Sequence, residues 1–164
     1  MKPERANLLQ TNIKKRLVDA SRHIRALEAA AADFGDDFDY EAFERSWKSD
    51  DPQDLKRAYA VQAGYENALN TCIKIAQELS ELEGWTTSGL EPKSTEALKS
   101  LQENGVITAK TRMALQSAQE RRSHVQHDYA NVTVREVHES AREVLDHAPL
   151  LLQDVASQLR QRGE

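Results

Sequence analysis

The chain has 164 residues, 22 of them basic and 27 acidic, for a formal net charge of −5. It is 39% hydrophobic and 30% charged, with only 6 Gly and 4 Pro, which excludes collagen-like and low-complexity chains and argues against full disorder. A mean hydropathy of −0.71 and the lack of any apolar run near ~18 residues exclude a membrane-spanning helix.

One domain over residues 1–164 is expected at this length, with a single buried core. Ala, Leu, Glu, Gln, Lys and Arg dominate and aromatics are only 5%, so an all-α fold leads. Met1 to Arg5 opens an amphipathic stretch and not an apolar one, so no secretory signal is expected. Cys72 is the single cysteine and cannot form an internal disulfide, which fits a cytoplasmic protein.

The first element is announced by Leu9, Ile13, Leu17, Ala20, Ile24, Leu27 and Ala31. Their three- and four-residue spacing predicts a helix from about Pro3 to Ala32, stopped by Asp33-Phe34-Gly35. Residues 33–54 form an acidic loop insertion. They carry a net −7 and leave the remainder of the chain at +2, so the total charge says little about any one face. Within the insertion, Tyr40 to Trp47 can form two helical turns that present Phe43 and Trp47 together. Asp37, Asp39 and Glu41 have alternate-ligand spacing, but a calcium loop needs Gly and Glu where Ala42 and Lys48 stand, so a solvated acidic loop is expected.

Asp51-Pro52 is an N-cap followed by Pro at the first helical position. The stripe Leu55, Ala58, Tyr59, Tyr65, Leu69, Cys72, Ile73, Ala76 and Leu79 predicts a second long helix ending at Gly84. Cys72 is a small core residue in that pattern. Residues 84–92 read as a loop, and a short helix from about Lys93 to Glu103 stops at Asn104-Gly105. Thr108 can cap a further helix with Met113, Leu115 and Ala118 inside it. Thr133-Val134-Arg135-Glu136 matches a capping box. It opens a stripe of Val137, Ala141, Val144, Ala148, Leu151, Val155 and Leu159, in which Pro149 should kink or break the helix near Leu145. His23, His138 and His147 stand singly on helices, as ordinary surface or core histidines. Four main helices with short connections, plus short helices, predict an antiparallel helical bundle.

Metal and nucleophile chemistry find little support. His124 and His127 lie three apart with Asp128 beside them, but no second ligand pair is evident, so no metal or cofactor is expected. There is no Gly-rich phosphate loop and no Gly-x-Ser-x-Gly elbow.

The segment from Glu120 to Tyr129 stands apart. It gathers Arg121, Arg122, His124, His127 and Tyr129 at the end of a helix. Arg122 and Tyr129 are seven apart, so a continuing helix would turn both toward the face of Leu115, where a guanidinium is expensive unless it meets a partner or a cleft. His127 lies about 140° around an ideal helix from Arg122. A joint site needs the helix to end near Gln126, or needs a second chain.

Arg122-x4-His127-x-Tyr129 resembles the Arg-x4-His-x-Tyr motif of HEPN-superfamily toxins of the HepT type. Composition alone predicts roughly 0.01 such matches in the chain. The context is similar too: a long helix carrying residues 67–76, a short one carrying residues 101–107, and then the motif helix, a resemblance strongest over about 55–146. One departure is Ser123, which follows the motif Arg where the family commonly has Asn or another polar residue.

The resemblance implies a HEPN-like helical fold, a homodimer with a composite cleft, and the toxin of a type VII-like toxin–antitoxin pair. It implies an RNA substrate cut by a metal-independent endoribonuclease. Arg122 and His127 would be catalytic, and Arg121, Ser123 and His124 would position substrate with less support. The residues suit that chemistry. Attack of a ribose 2′-OH on the adjacent phosphate needs proton transfer, which a histidine can supply near pH 7. An arginine fork stabilises the phosphoryl oxygens. The resemblance further implies a partner, an MNT-family nucleotidyltransferase antitoxin, that neutralises the toxin by AMPylation of Tyr129. That residue sits just before Ala130-Asn131 and the helix opened by Thr133, so its hydroxyl is expected to reach solvent at a helix junction. The alternatives are a non-catalytic helical subunit binding a small nucleotidyltransferase, and a purely structural oligomerisation domain.

Overall fold

The computed structural model describes residues 1–86, 92–127 and 133–163, with the backbone alone at 124–127. Among these residues the architecture is all-α: α1 Pro3–Ala32, α2 Tyr40–Trp47, α3 Pro52–Leu82, α4 Ser94–Glu103, α5 Ala109–His127 and α6 Val134–Gln161.

The helix boundaries follow from local chemistry. Asp51 caps α3 by accepting from the Gln53 N–H at 2.9 Å, with Pro52 in the first turn. Thr108 Oγ1 accepts from Thr111 N–H at 3.1 Å as α5 begins. Thr133 Oγ1 accepts from Glu136 N–H at 3.2 Å, while its own hydroxyl donates to Glu136 Oε1 at 3.3 Å. The capping box thus includes a hydroxyl-to-carboxylate bond beside the hydroxyl-to-backbone one. Pro149 neither breaks nor ends α6, which runs on to Gln161. Val144, Ala148, Leu151 and Val155 are buried on both sides of the proline, and that burial outweighs the one backbone hydrogen bond that proline forgoes.

α3 is the central element, packed against α1, α6, α4 and α2. Its buried positions extend beyond the expected stripe to Val61, Ala68, Ile75 and Leu82, and even to Glu78, Ser80 and Glu81. Two of those carboxylates are met by α1. Arg5 donates to Glu81 Oε1 at 2.6 Å, and Arg16 pairs with Glu78. Near the other end of the pair, Gly64 faces Leu27. A Cβ there would stand 3.2 Å from the Leu27 Cα, so glycine sets how closely the antiparallel α1 and α3 approach. Two stripe members depart from expectation. Tyr59 is exposed, with its ring edge-on to Trp47 at 5.7 Å, and Met113 is exposed on α5. Cys72 is in the core as expected, and burial pushes its thiol up to about 12, which leaves it unreactive.

The acidic insertion is more than a solvated loop. Its carboxylates point outward, but Phe34, Phe38 and Phe43 are buried as edge-to-face neighbours 5.3 to 6.2 Å apart. His138 of α6 stacks on Phe38 at 4.3 Å, and its Nε2–H donates to the Phe38 carbonyl at 2.7 Å. Arg142 donates to the same carbonyl, so α6 grips a turn whose Phe38 has a φ of 49°. Burial depresses the His138 pKa, Arg142 and Arg135 add to this, and the Phe38 carbonyl and Asp39 oppose it.

A buried neutral histidine makes stability fall on acidification. The unfolded chain takes up this proton near its ordinary pKa of 6.5, before the native state does. Stability is therefore full above that pH and is lost as pH falls toward the depressed native value. Between pH 7.5 and 5, the wild-type melting temperature should drop more than that of His138→Gln, measured by thermal circular dichroism. Equal drops would remove His138 from the pH response.

Candidate functional site

Three helices meet at the C-terminal end of α5. Thr111, Leu115, Ala118 and Arg122 follow at spacings of four, three and four along one face. The first three are buried and Arg122 is half-buried, so the guanidinium stands where the stripe passes from core to surface. Its Nη1 donates to Gln119 Oε1 on the same helix at 3.2 Å. Its Nε–H is sealed from water and has no hydrogen-bond partner among the described residues.

Two further buried hydroxyls lie on the neighbouring helices. Tyr65 of α3 and Ser140 of α6 are wholly buried, and neither Tyr65 Oη nor Ser140 Oγ completes a hydrogen bond among the described residues. Burial raises the pKa of the Tyr65 phenol and the Glu66 charge adds to the rise. The positive charge of Arg122 and the nearby Ser140 hydroxyl oppose it. Each unsatisfied buried polar group costs about 1–3 kcal/mol.

Arg121, one residue earlier, turns to α6. Its Nη1 donates to Glu143 Oε1 at 2.8 Å and its Nη2 lies 3.6 Å from Glu139 Oε2. Burial raises the Glu143 pKa, and Arg121 opposes that rise. Lower on the same antiparallel seam, Thr111 Oγ1 and His147 Nδ1 are 3.2 Å apart. Ser123 is exposed. The described part of α5 ends at His127. The side chains of His124 and His127, and the whole of Tyr129, lie outside the described residues. The structure therefore sets Arg121 against Glu139 and Glu143 of α6, with Arg122 next to it on α5. Among the described residues, no group of three His, Cys, Asp or Glu is arranged to hold a metal ion.

Sequence reasoning took Tyr65 as a plain core residue and passed over Ser140. The signal was present. Tyr65 is on the apolar stripe of α3, and Ser140 sits between Val137 and Ala141 of the α6 stripe. A hydroxyl in such company needs a partner or a purpose.

A family model described as ribonuclease HepT-like matches residues 25–155. No curated protein matches the chain. Among solved structures, the chain is similar to the tri-AMPylated Shewanella oneidensis HEPN toxin in complex with MNT antitoxin. The TM-score is 0.69 at 16% sequence identity, covering 89% of this chain and 97% of that one. That likeness is one of fold: the helical bundle is HEPN-like.

Proposed function

Because this chain belongs to the HepT-like family of ribonucleases, we propose that it is the toxin of a type VII-like toxin–antitoxin pair, acting as a metal-independent endoribonuclease. The observation that carries this reading is the motif Arg122-x4-His127-x-Tyr129, whose Arg122 lies near the end of α5 with its side chain half-buried at the edge of the core. Such a group is fixed in place and partly shielded from water, where its charge acts more strongly on a phosphoryl oxygen than it would in bulk solvent.

In the proposed reaction His127 removes the proton of a ribose 2′-OH, and the oxygen attacks the adjacent phosphorus. Arg122 holds the charge that accumulates on the phosphoryl oxygens. The 5′-oxygen departs and takes up a proton, leaving a cyclic 2′,3′-phosphate. DNA lacks the nucleophile and is not cut. Ser123, exposed on α5 next to Arg122, and His124 are assigned to substrate positioning, together with Arg121. The motif pairs across a two-fold axis in a homodimer, which joins Arg122 and His127 from facing protomers. The partner is an MNT-type nucleotidyltransferase antitoxin, as in the Shewanella oneidensis complex, and the modified residue is Tyr129.

The test takes the chain alone. Its expression should arrest bacterial growth. The purified protein should run as a dimer in light scattering and cut single-stranded RNA in EDTA to cyclic-phosphate ends. A protein that does not arrest growth but binds a small nucleotidyltransferase would be the non-catalytic subunit instead. Loss of cleavage in EDTA would refute metal independence.

A further inference from the structure

We infer that Arg135 binds a backbone phosphate of the RNA next to the one that is cut, and that Tyr40 holds its guanidinium in place; the inference rests on the ribonuclease reading above. The first observation is position. α5 and α6 pack side by side, and Thr111 pairs with His147 and Arg121 with Glu139 across the seam, so the two helices run antiparallel. Continuing that register by one turn of α6 from Glu139 sets Arg135 level with the last turn of α5, between Arg122 and His127. Arg135 is exposed there, in the first turn of α6.

The second observation is how the side chain is held. The Arg135 guanidinium carbon lies 4.1 Å from the centroid of the Tyr40 ring, over its face. Tyr40 opens α2, which packs on α3 and α6. Its hydroxyl donates to Glu44 Oε2 at 2.9 Å, and Lys48 Nζ lies 3.4 Å from the same oxygen. His138 of α6 stands edge-on to the Tyr40 ring, with 5.3 Å between centroids. The ring is thus fixed by its own helix on one side and by α6 on the other.

The third observation is charge. Arg121 meets the carboxylates of Glu139 and Glu143, whereas Arg135 meets a neutral ring. Such a stack engages the face of the guanidinium and leaves its N–H donors at the rim, where a phosphate is gripped in the plane. A guanidinium already immobilised also loses less entropy on binding than one on a free stem. Packed helix axes stand about 8–10 Å apart. Arg122 leans into the edge of the core and Arg135 toward α2, so Arg135 serves a phosphate adjacent to the one at Arg122.

The experiment uses the whole chain and a fluorescein-labelled, mixed-sequence single-stranded RNA, 2′-O-methylated throughout so that it binds and is not cut. In fluorescence anisotropy, Arg135→Gln should bind it about tenfold more weakly than wild type. The slope of log Kd against log salt should become shallower by about 0.7, the loss of one contact to a single strand. On the unmethylated RNA, KM should rise with kcat unchanged. The melting temperature should stay at wild type, because Arg135 is exposed. Tyr40→Leu removes the ring and should weaken binding about threefold. Tyr40→Phe keeps the ring and should bind as wild type does. In an Arg135→Gln background, Tyr40→Leu should cost nothing further.

Wild-type affinity and salt slope in Arg135→Gln overturn the inference and leave the role of Arg122 standing. So does a fall in kcat with Kd unchanged, which would put Arg135 at the reacting phosphate. Should Tyr40→Leu fail to fold, Arg135→Gln and Tyr40→Phe carry the test. A wild-type protein that neither cuts nor binds the RNA overturns the ribonuclease reading and the inference with it. Binding without cutting overturns that reading alone, and the Arg135→Gln comparison still decides the phosphate contact.

Discussion

Arg122→Ala and His127→Ala are each expected to abolish RNA cleavage and growth inhibition while the protein stays folded. Removing a donor aimed at developing charge typically costs ~10²–10³ in rate, and removing a general base ~10²–10⁴. Either loss takes a toxin below the level at which growth is affected. The fold is expected to survive because Arg122 contributes little to holding it. Its one hydrogen bond among those described is to Gln119, three residues earlier on the same helix. Its Nε–H is buried and unpartnered among the described residues, which subtracts from stability. Arg122→Ala should therefore melt within a few degrees of wild type, or above it, in the manner of a site that trades stability for activity. The check is a paired measurement of RNA cleavage and thermal melting on each purified variant. A folded Arg122→Ala or His127→Ala that cleaves RNA at the wild-type rate would refute the assignment.

Much of the architecture can be read from the helix periodicity. The stripe from Leu9 to Ala31 places α1, and Asp51-Pro52 opens α3 where the caps say it should. What periodicity misjudges is how deeply each face is buried. α3 is surrounded, so its burial reaches Glu78 and Glu81, which the arginines Arg5 and Arg16 of α1 meet as ion pairs. Tyr59 follows the apolar pattern but sits at the rim beside Trp47. Pro149 obeys the local rule for helix breaking and is overruled by tertiary packing on either side. The acidic insertion hides its aromatic anchor, because Phe34, Phe38 and Phe43 are spread over a stretch dominated by carboxylates. The Arg-x4-His-x-Tyr motif is visible in the sequence because it is local. The Arg121–Glu143 pairing is not, because it joins residues 22 positions apart that the α5–α6 packing brings together.

Incubation with the MNT-type partner and Mg-ATP is expected to add AMP units to Tyr129 and silence the toxin. The similar Shewanella oneidensis toxin is tri-AMPylated, and the motif tyrosine two residues beyond His127 is the acceptor proposed for this chain. In the transfer, the Tyr129 oxygen attacks the α-phosphorus of ATP, pyrophosphate leaves, and the phenolic proton passes to the partner's side of the reaction. Each AMP adds a phosphodiester negative charge and a nucleoside's bulk next to the motif proposed to bind a phosphate. That charge competes with RNA for the Arg122 guanidinium, and its neighbour Asp128 does nothing to neutralise it. Magnesium and ATP serve the partner's transfer and not the cleavage reaction itself. Mass spectrometry should show the added AMP units on wild type and none on Tyr129→Phe. The variant should keep its ribonuclease activity, because phenylalanine retains the ring and removes only the acceptor oxygen. It should also remain toxic in cells that co-express the partner, where the wild type is silenced. If Tyr129→Phe is still neutralised without added mass, inhibition comes from binding alone; if AMP is found on another residue, the acceptor assignment fails while the principle of blocking the Arg122 phosphate site is tested at that residue instead.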